Sequence, residues 1–369
     1  MTQTPIRIAT FNVSMDASNY LPEGTKPSAN SADVLLDQLQ RGDNAQISNI
    51  AAIIQTVRPD IVLLNEFDYT ANPEHSVKWF QDNYLARPQQ GAEAIEYPYF
   101  YSASVNTGVA FPFDLNGDGK VSTPADTYGF GYYPGQYGML LLSRYPIDTA
   151  AVRSFQRFKW KDLPGALEPR NLEGSPYYSP EAWDEFRLSS KSHWDIPVKI
   201  EDKTLHLLAS HPTPPVFDGP EDRNGKRNHD EVRLWVDYIS AEANYLYDDS
   251  GATGGLSPDS SFVIVGDLNA SPHEGDGHKD AIKALLHHPR VTDPNPGSAG
   301  GVEARSDNPH SRHHTAVWGM RADYVLPSSD LVVAESGVFW PAQNEPKAAL
   351  VADRRTSSDH LLVWVDVIF

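Results

Sequence analysis

Eight short apolar runs, each closed by polar residues, set the main constraint on how this chain folds. They cover residues 6–13, 61–66, 138–143, 195–200, 205–210, 262–266, 322–326 and 361–367. Their length and their content of Val, Ile, Leu and Phe predict β-strands. Between some of them the apolar spacing becomes helical, over residues 31–40, 45–57, 75–84, 229–247 and 277–287, and Pro59 stops the second of these helices. Strands alternating with helices predict an α/β or α+β layered domain.

At 369 residues with 40% apolar content, the chain can bury a sizeable core. No stretch reads as a linker between domains. The Gly, Ser and Asp-rich segment 248–260 lies between a predicted helix and a predicted strand, and is expected to be a surface loop of a single domain. Two long segments, 89–136 and 153–192, are rich in Tyr, Pro and Gly and are expected to be insertions that build a site wall. The absence of cysteine excludes a disulfide framework, thiolate zinc sites and a cysteine nucleophile. No apolar run approaches the roughly 18 residues that span a bilayer. No secretory leader is recognisable before Ile6, so the chain is expected to be cytoplasmic or to have lost a leader. Asp and Glu number 49 against 30 Lys and Arg, a net charge of −19, which argues against a sequence-blind binder of duplex DNA.

Polar residues recur where the apolar strands end. Asn12 follows the first strand core, Glu66 ends the second, and His211 follows the 205–210 strand. Asp267 and Asn269 follow FVIVG, Asp323 sits in RADYVLPS, and Asp359 and His360 precede the last strand. In layered α/β folds, ligands and catalytic groups gather at such strand ends. A turn explains any one of these residues, but not eight carboxylates, carboxamides and imidazoles together. Hard oxygen donors suit Mg²⁺, Mn²⁺ or Ca²⁺, and imidazole moves protons near neutral pH. The pattern therefore predicts metal-assisted phosphoryl chemistry. No GxSxG signature supports acyl transfer.

The ordered set TFN, NE, GDLN, DY and SDH resembles the endonuclease/exonuclease/phosphatase superfamily, the deoxyribonuclease I-like fold. The resemblance runs from Ile6 to Val367, and YGMLLLSRYPI resembles the family's central strand. It implies a four-layer sandwich: two packed mixed β-sheets flanked by helices, with the site at one rim. It also implies hydrolysis of a phosphate ester by activated water, with one or two Mg²⁺ or Mn²⁺ ions. Carried over by motif, Glu66 is the principal metal ligand, Asn12 helps hold metal or phosphate, and Asp359 is a further metal-side ligand. Asp267 orients or activates the attacking water, and Asn269 contacts the phosphate. His360 binds a phosphate oxygen or moves a proton, with Asp323 fixing its tautomer. His211 stands where it would protonate the leaving group, a role left open between it and His360. His193, on the strand before, is a candidate for the substrate wall.

The stretch DLNGDGKVSTPAD resembles a calcium loop, with Asp114, Asn116 and Asp118 at alternate positions and Asp126 one residue past the usual last ligand. It is a candidate for a separate structural Ca²⁺, which would favour a home outside the cytoplasm. His310, His313 and His314 are close enough in sequence for a metal site, although solvated loop histidines are the plainer expectation. The motifs specify the bond and not the molecule. A phosphodiesterase acting on small organic diesters is the leading expectation. A nuclease on DNA or RNA, a phosphomonoesterase and a non-catalytic binding module of the same fold are the alternatives. Arg223, Lys226 and Arg227 form the one local basic cluster, thin support for a long polyanion. The aromatics of the insertions, Tyr128, Phe130, Tyr132, Tyr133, Tyr137, Trp183 and Trp194, are expected either to line a pocket or to pack the loops. No protein partner is expected.

Overall fold

The computed structural model describes residues 4–241 and 243–369. The strands are β1 (Ile6–Met15), β2 (Ile61–Phe67), β3 (Tyr99–Tyr101), β4 (Met139–Ser143), β5 (Arg153–Ser154), β6 (His193–Ile200), β7 (Lys203–Ser210), β8 (Ser261–Asp267), β9 (Asp323–Pro327), β10 (Val332–Val338) and β11 (Val363–Ile368). The α-helices are α1 (Val34–Arg41), α2 (Ala45–Val57), α3 (Pro73–Phe80), α4 (Pro180–Glu185), α5 (Arg223–Tyr238), α6 (Asp280–Leu286) and α7 (Ala299–Ala304). One sheet runs β10-β11-β1-β2-β4-β3 and the other β5-β6-β7-β8-β9. This is the deoxyribonuclease I-like sandwich expected from the motifs.

Alternation along the strands explains the layers. Leu205, Leu207, Val263, Val265 and Val325 join the core shared with the first sheet, whereas Leu208, Phe262, Ile264, Tyr324 and Leu326 face a second core under α5 and α6. Helix α2 covers the outer face of the first sheet and buries Ile47, Ile50, Ile53, Ile54 and Val57. Asn44 caps it by accepting from Ile47 N at 3.2 Å, and Arg58 closes it in the left-handed region before Pro59.

Each sheet contains one parallel pair, β1 with β2 and β7 with β8. Parallel neighbours need a crossover, supplied by α1 and α2 in the first case and by α5 in the second. The carboxyl ends of both pairs meet at one rim. There Asn65 Nδ2 donates to the Ser210 carbonyl at 3.3 Å, and Asn65 Oδ1 accepts from Asp267 N at 3.2 Å. This side chain ties the two sheets together beside the site. Within the second sheet, Gly266 lets the ends of β8 and β7 stay close: its φ is +148°, and a Cβ there would run into the Ser210 carbonyl.

The elements depart from expectation in several places, β3, β5, α4 and α7 being absent from the apolar pattern. Helix α5 begins at Arg223, not at His229, because Asp218 Oδ2 accepts from Asn224 N at 2.7 Å and from Gly225 N at 3.3 Å. It ends at Tyr238, not at Tyr247, where Leu256 N takes the Tyr238 carbonyl at 2.7 Å. Residue 242, within that expected helix, lies outside the described residues. The helix expected over 75–84 starts at Pro73 and passes into a π-turn over Gln81–Leu85. Strand β10 escapes the apolar pattern because it is a partly exposed edge containing Glu335, Ser336 and Gly337. The insertions do more than wall a site: Phe111, Phe155, Phe158, Trp160, Tyr178 and Phe186 form much of the second core.

Candidate active site at the sheet rim

The site is organised around one carboxylate. Asp267, at the end of β8, is almost sealed from solvent. Its Oδ2 accepts from Asn12 Nδ2 at 3.1 Å and lies 3.4 Å from His211 Nε2 and 3.6 Å from His360 Nε2. Its Oδ1 accepts from the Asn269 backbone at 3.0 Å. His360 Nδ1 meets Asp323 Oδ2 at 2.9 Å, and Asp323 also accepts from Thr315 Oγ1 at 2.7 Å. Asp267, Asp323 and His360 thus form a relay fixed by its own hydrogen bonds, with ligand-type atoms within 4.8 Å of one another.

The electrostatics divide the two histidines. Burial works against charge on His360, but Asp323 and Asp267 outweigh it and push the imidazole up to about 10. Burial lowers His211, and the nearby charge of Lys191 lowers it further. Burial would raise Asp267, yet His360 and His211 hold its carboxyl well below the usual range. These directions favour a protonated His360, a neutral His211 and an ionised Asp267 near neutral pH.

A second group lies alongside. Arg354 Nη2 sits 3.2 Å from Asp16 Oδ2 and 3.4 Å from Glu66 Oε2, and its Nη1 sits 3.3 Å from Asp359 Oδ2. Three carboxylates around one monovalent cation leave two negative charges uncompensated. The three carboxylates are spread around Arg354 and not gathered to one point, but their oxygens are the hard donors that a divalent cation takes. Glu66, Ser14 and Asn269 all have positive φ, at +56°, +48° and +49°. Non-glycine residues in this region cluster at functional sites, and here the conformation marks strand ends that turn into the cleft. Ser14 Oγ accordingly reaches Asp359 Oδ1 at 3.1 Å.

All eight strand-end residues fall in these two groups. Asn12 lies in the first: its amide nitrogen donates to Asp267, and its Oδ1 accepts from Ser14 N at 3.1 Å. It thereby positions Asp267. His193 does not reach the wall. It is fully buried, with Nδ1 on Ser189 Oγ at 2.7 Å and Nε2 on the Glu231 carbonyl at 2.9 Å. In the calcium-like loop the candidate ligands are used for turn hydrogen bonds. Asp114 turns back to the amides of Gly117 and Gly119 at 2.7 and 2.8 Å, and Asn116 accepts from Asp118 N at 3.1 Å. Asp118 caps Lys120 N at 2.9 Å, and the buried Asp126 clamps Leu115 N and Ser122 N at 2.7 and 2.8 Å. Among the described residues, Asp114, Asp118 and Asp126 form no convergent cluster. Nor do the three loop histidines: His314 Nε2 meets Glu274 at 2.8 Å, whereas His313 Nδ1 meets the Pro296 carbonyl at 2.8 Å.

Asp16, Asn65, Lys191 and Arg354 were not singled out in the sequence. Asn65 stood inside the NE motif, and that was its only signal. Asp16 follows the first strand directly, and a longer reading of that strand would have included it.

The sequence profile of the Endonuclease/Exonuclease/phosphatase family matches residues 9–360. No curated protein matches the chain. Among solved structures, an endonuclease/exonuclease/phosphatase from Beutenbergia cavernae DSM 12333 is similar at 16% identity and a TM-score of 0.54, covering 99% of this chain and 72% of that one. A family protein from Bacteroides thetaiotaomicron is similar at 13% identity and a TM-score of 0.48, covering 100% and 99% of the two chains. A Staphylococcus aureus beta toxin with bound magnesium ions is similar at 14% identity and a TM-score of 0.47, covering 98% and 99%.

Proposed function

This chain belongs to the Endonuclease/Exonuclease/phosphatase family, a class of metal-dependent phosphoesterases, and from that premise we propose that its substrates are small organic phosphodiesters. The observation that carries the choice of substrate is the fate of the one basic cluster. Arg223 pairs with Glu221, and Lys226 Nζ donates to the Glu221 carbonyl at 2.8 Å. Arg227 is buried and donates to the carbonyls of Leu188, Arg187 and Ser189 at 2.8, 3.0 and 3.1 Å. All three cations are used inside the fold, so this cluster offers no track for a polyanion. The cleft edges instead carry exposed aromatics. Trp318, 43% exposed, stands edge-on to His360 at 4.8 Å. Phe130, 58% exposed, pairs with Tyr132 on a loop held near the acidic group by Gln136, whose Nε2 donates to Asp16 at 3.3 Å. Such faces suit an organic leaving group. The other aromatics of the insertions pack: Trp183 on Trp160, and Trp194 on Tyr101.

In this reading Glu66, Asp16 and Asp359 hold a divalent cation, which neutralises charge on the phosphate when bound. Asp267, ionised and held by hydrogen bonds from Asn12 and the Asn269 backbone, orients the attacking water opposite the leaving group. His360, held protonated by Asp323, supplies a proton or a charged hydrogen bond to the departing or non-bridging oxygen. The neutral state of His211 favours His360 over it as the proton donor. The test is hydrolysis after chelation and metal add-back, comparing bis-p-nitrophenyl phosphate, p-nitrophenyl phosphate and plasmid DNA. The small diester should be preferred, and His360→Ala should lower kcat about 10³-fold in a protein that still folds, although it melts lower because Asp323 and Asp267 lose their buried cation. Preference for DNA would make the protein a nuclease, and preference for the monoester a phosphatase. Silence towards every ester with any metal would favour a binding module.

A further inference from the structure

We propose that Lys191 is the phosphoryl anchor of this site, its ammonium binding a non-bridging oxygen of the substrate phosphate. This rests on the phosphoesterase reading above and assigns to that site a residue that the motifs do not contain.

Two buried cations occupy the same corner, and their partners differ. Arg227 is 6% exposed and donates to backbone carbonyls of the surrounding loops. Lys191 is 5% exposed, and its Nζ, with no hydrogen-bond partner and no carboxylate within 4.0 Å among the described residues, keeps a contact with solvent. A cation whose stem is buried and whose tip meets only water is open to an anion that displaces that water.

The surroundings place that anion over the cleft. Beyond contact distance, Lys191 feels the charges of Glu231, Glu66 and Asp267, and it acts in turn on His211. Glu66 closes β2 in one sheet and Asp267 closes β8 in the other, while His211 follows β7. The ammonium therefore lies in the field shared by the strand ends that form the site. Glu231 is not its hidden partner. Its Oε1 accepts from Ser190 N at 2.6 Å and its Oε2 from Thr213 N at 2.7 Å. That one carboxylate clamps the strap bearing Lys191 to the turn after His211. Asn106 N fixes the Lys191 carbonyl at 2.9 Å from the other side. The backbone is thus held from two directions while the side-chain terminus is left unpaired, an arrangement preorganised for a ligand.

The test titrates inorganic phosphate into the full chain with Mg²⁺ present, by calorimetry and by melting, for wild type, Lys191→Met and Lys191→Arg. The same proteins are assayed on bis-p-nitrophenyl phosphate. Phosphate should raise the melting temperature of wild type. In Lys191→Met its affinity should fall at least 10-fold and kcat/KM about 100-fold. Lys191→Arg should recover part of the phosphate affinity. In phosphate-free buffer Lys191→Met should melt no lower than wild type, because it removes an unpaired buried charge; a structural lysine would give a lower value. Wild type that fails to bind phosphate, or Lys191→Met that binds it normally, overturns the proposal. If Lys191→Met does not fold, Lys191→Gln takes its place, and unchanged phosphate affinity there overturns it equally. Phosphate binding that depends on Lys191, in a protein that hydrolyses no ester, would keep the anchor and remove the hydrolytic reading.

Discussion

Arg354 neutralises only part of the charge that surrounds it. Asp16, Glu66 and Asp359 each lie within 3.4 Å of its guanidinium, so one positive charge faces three negative ones. A divalent cation drawn to the same carboxylates competes with it. The guanidinium is 39% exposed, so solvent screens the contest to about 1 kcal/mol, roughly a factor of five. Arg354→Gln should therefore bind Mn²⁺ about five-fold more tightly by calorimetry, and should melt lower than wild type in chelator, where the carboxylates are left to repel. Weaker Mn²⁺ binding would mean that Arg354 positions the carboxylates and does not compete. His193 carries a pH prediction of its own. Burial lowers its imidazole to about 4, and the bond to the Glu231 carbonyl opposes this only in part. A histidine depressed in the folded state contributes stability above its unfolded value near 6.5, and that contribution is lost as pH falls towards 4. Between pH 7 and 4.5 wild type should lose about 2 kcal/mol on this account. The stability gap between wild type and His193→Gln should narrow by that amount in denaturant titrations at the two pH values. A constant gap would show that His193 gains its proton before the protein unfolds.

Helix α5 shows what a sequence does and does not reveal at the scale of an element. Its apolar stripe of Val232, Leu234, Trp235 and Tyr238 marks a helix, and that much is readable. Its start is not, because the amides of Asn224 and Gly225 are capped by Asp218, outside the usual capping position, while Asp222 makes no cap bond. Asp218→Ala should cost about 1 kcal/mol in chemical denaturation and loosen exchange protection at the first turn of α5 while leaving its last turn protected. Uniform loss along the helix would contradict a local cap. The strand ends were legible for a related reason. A polar residue closing an apolar run is visible in one dimension, which is why Glu66, His211, Asp267 and His360 could be chosen. Lys191 in SSKSHWD and Arg354 in ADRRTS read as solvated charges, and only tertiary burial sets them apart. His193 failed in the opposite sense. Its place beside the site was readable, but both ring nitrogens are taken by Ser189 and Glu231, and neither bond is visible in sequence.

For the molecule as a whole, two sheets join along one rim, and each parallel pair delivers its carboxyl ends there. A net charge of −19 surrounds that rim, so long-range electrostatics repel any anion while the site attracts one at short range. The two effects respond to salt with opposite signs. At 0.15 M ionic strength the Debye length is about 8 Å, so distant repulsion is screened while contacts inside a buried cleft are screened much less. For a monoanionic diester, kcat/KM should accordingly change by no more than about three-fold between 50 and 200 mM NaCl, and the change should be a rise. A nuclease that neutralises six or more phosphates would lose about 10³ in affinity over the same range, because each contact releases counterions. The measurement is a salt series on bis-p-nitrophenyl phosphate at fixed metal and pH, with plasmid DNA run beside it. A flat or rising diester profile with negligible DNA cleavage is the result expected of a protein whose basic cluster is used inside its own fold. A steep fall with salt on either substrate would require an extended cationic surface that Arg223, Lys226 and Arg227, held as they are by Glu221 and the neighbouring carbonyls, do not provide.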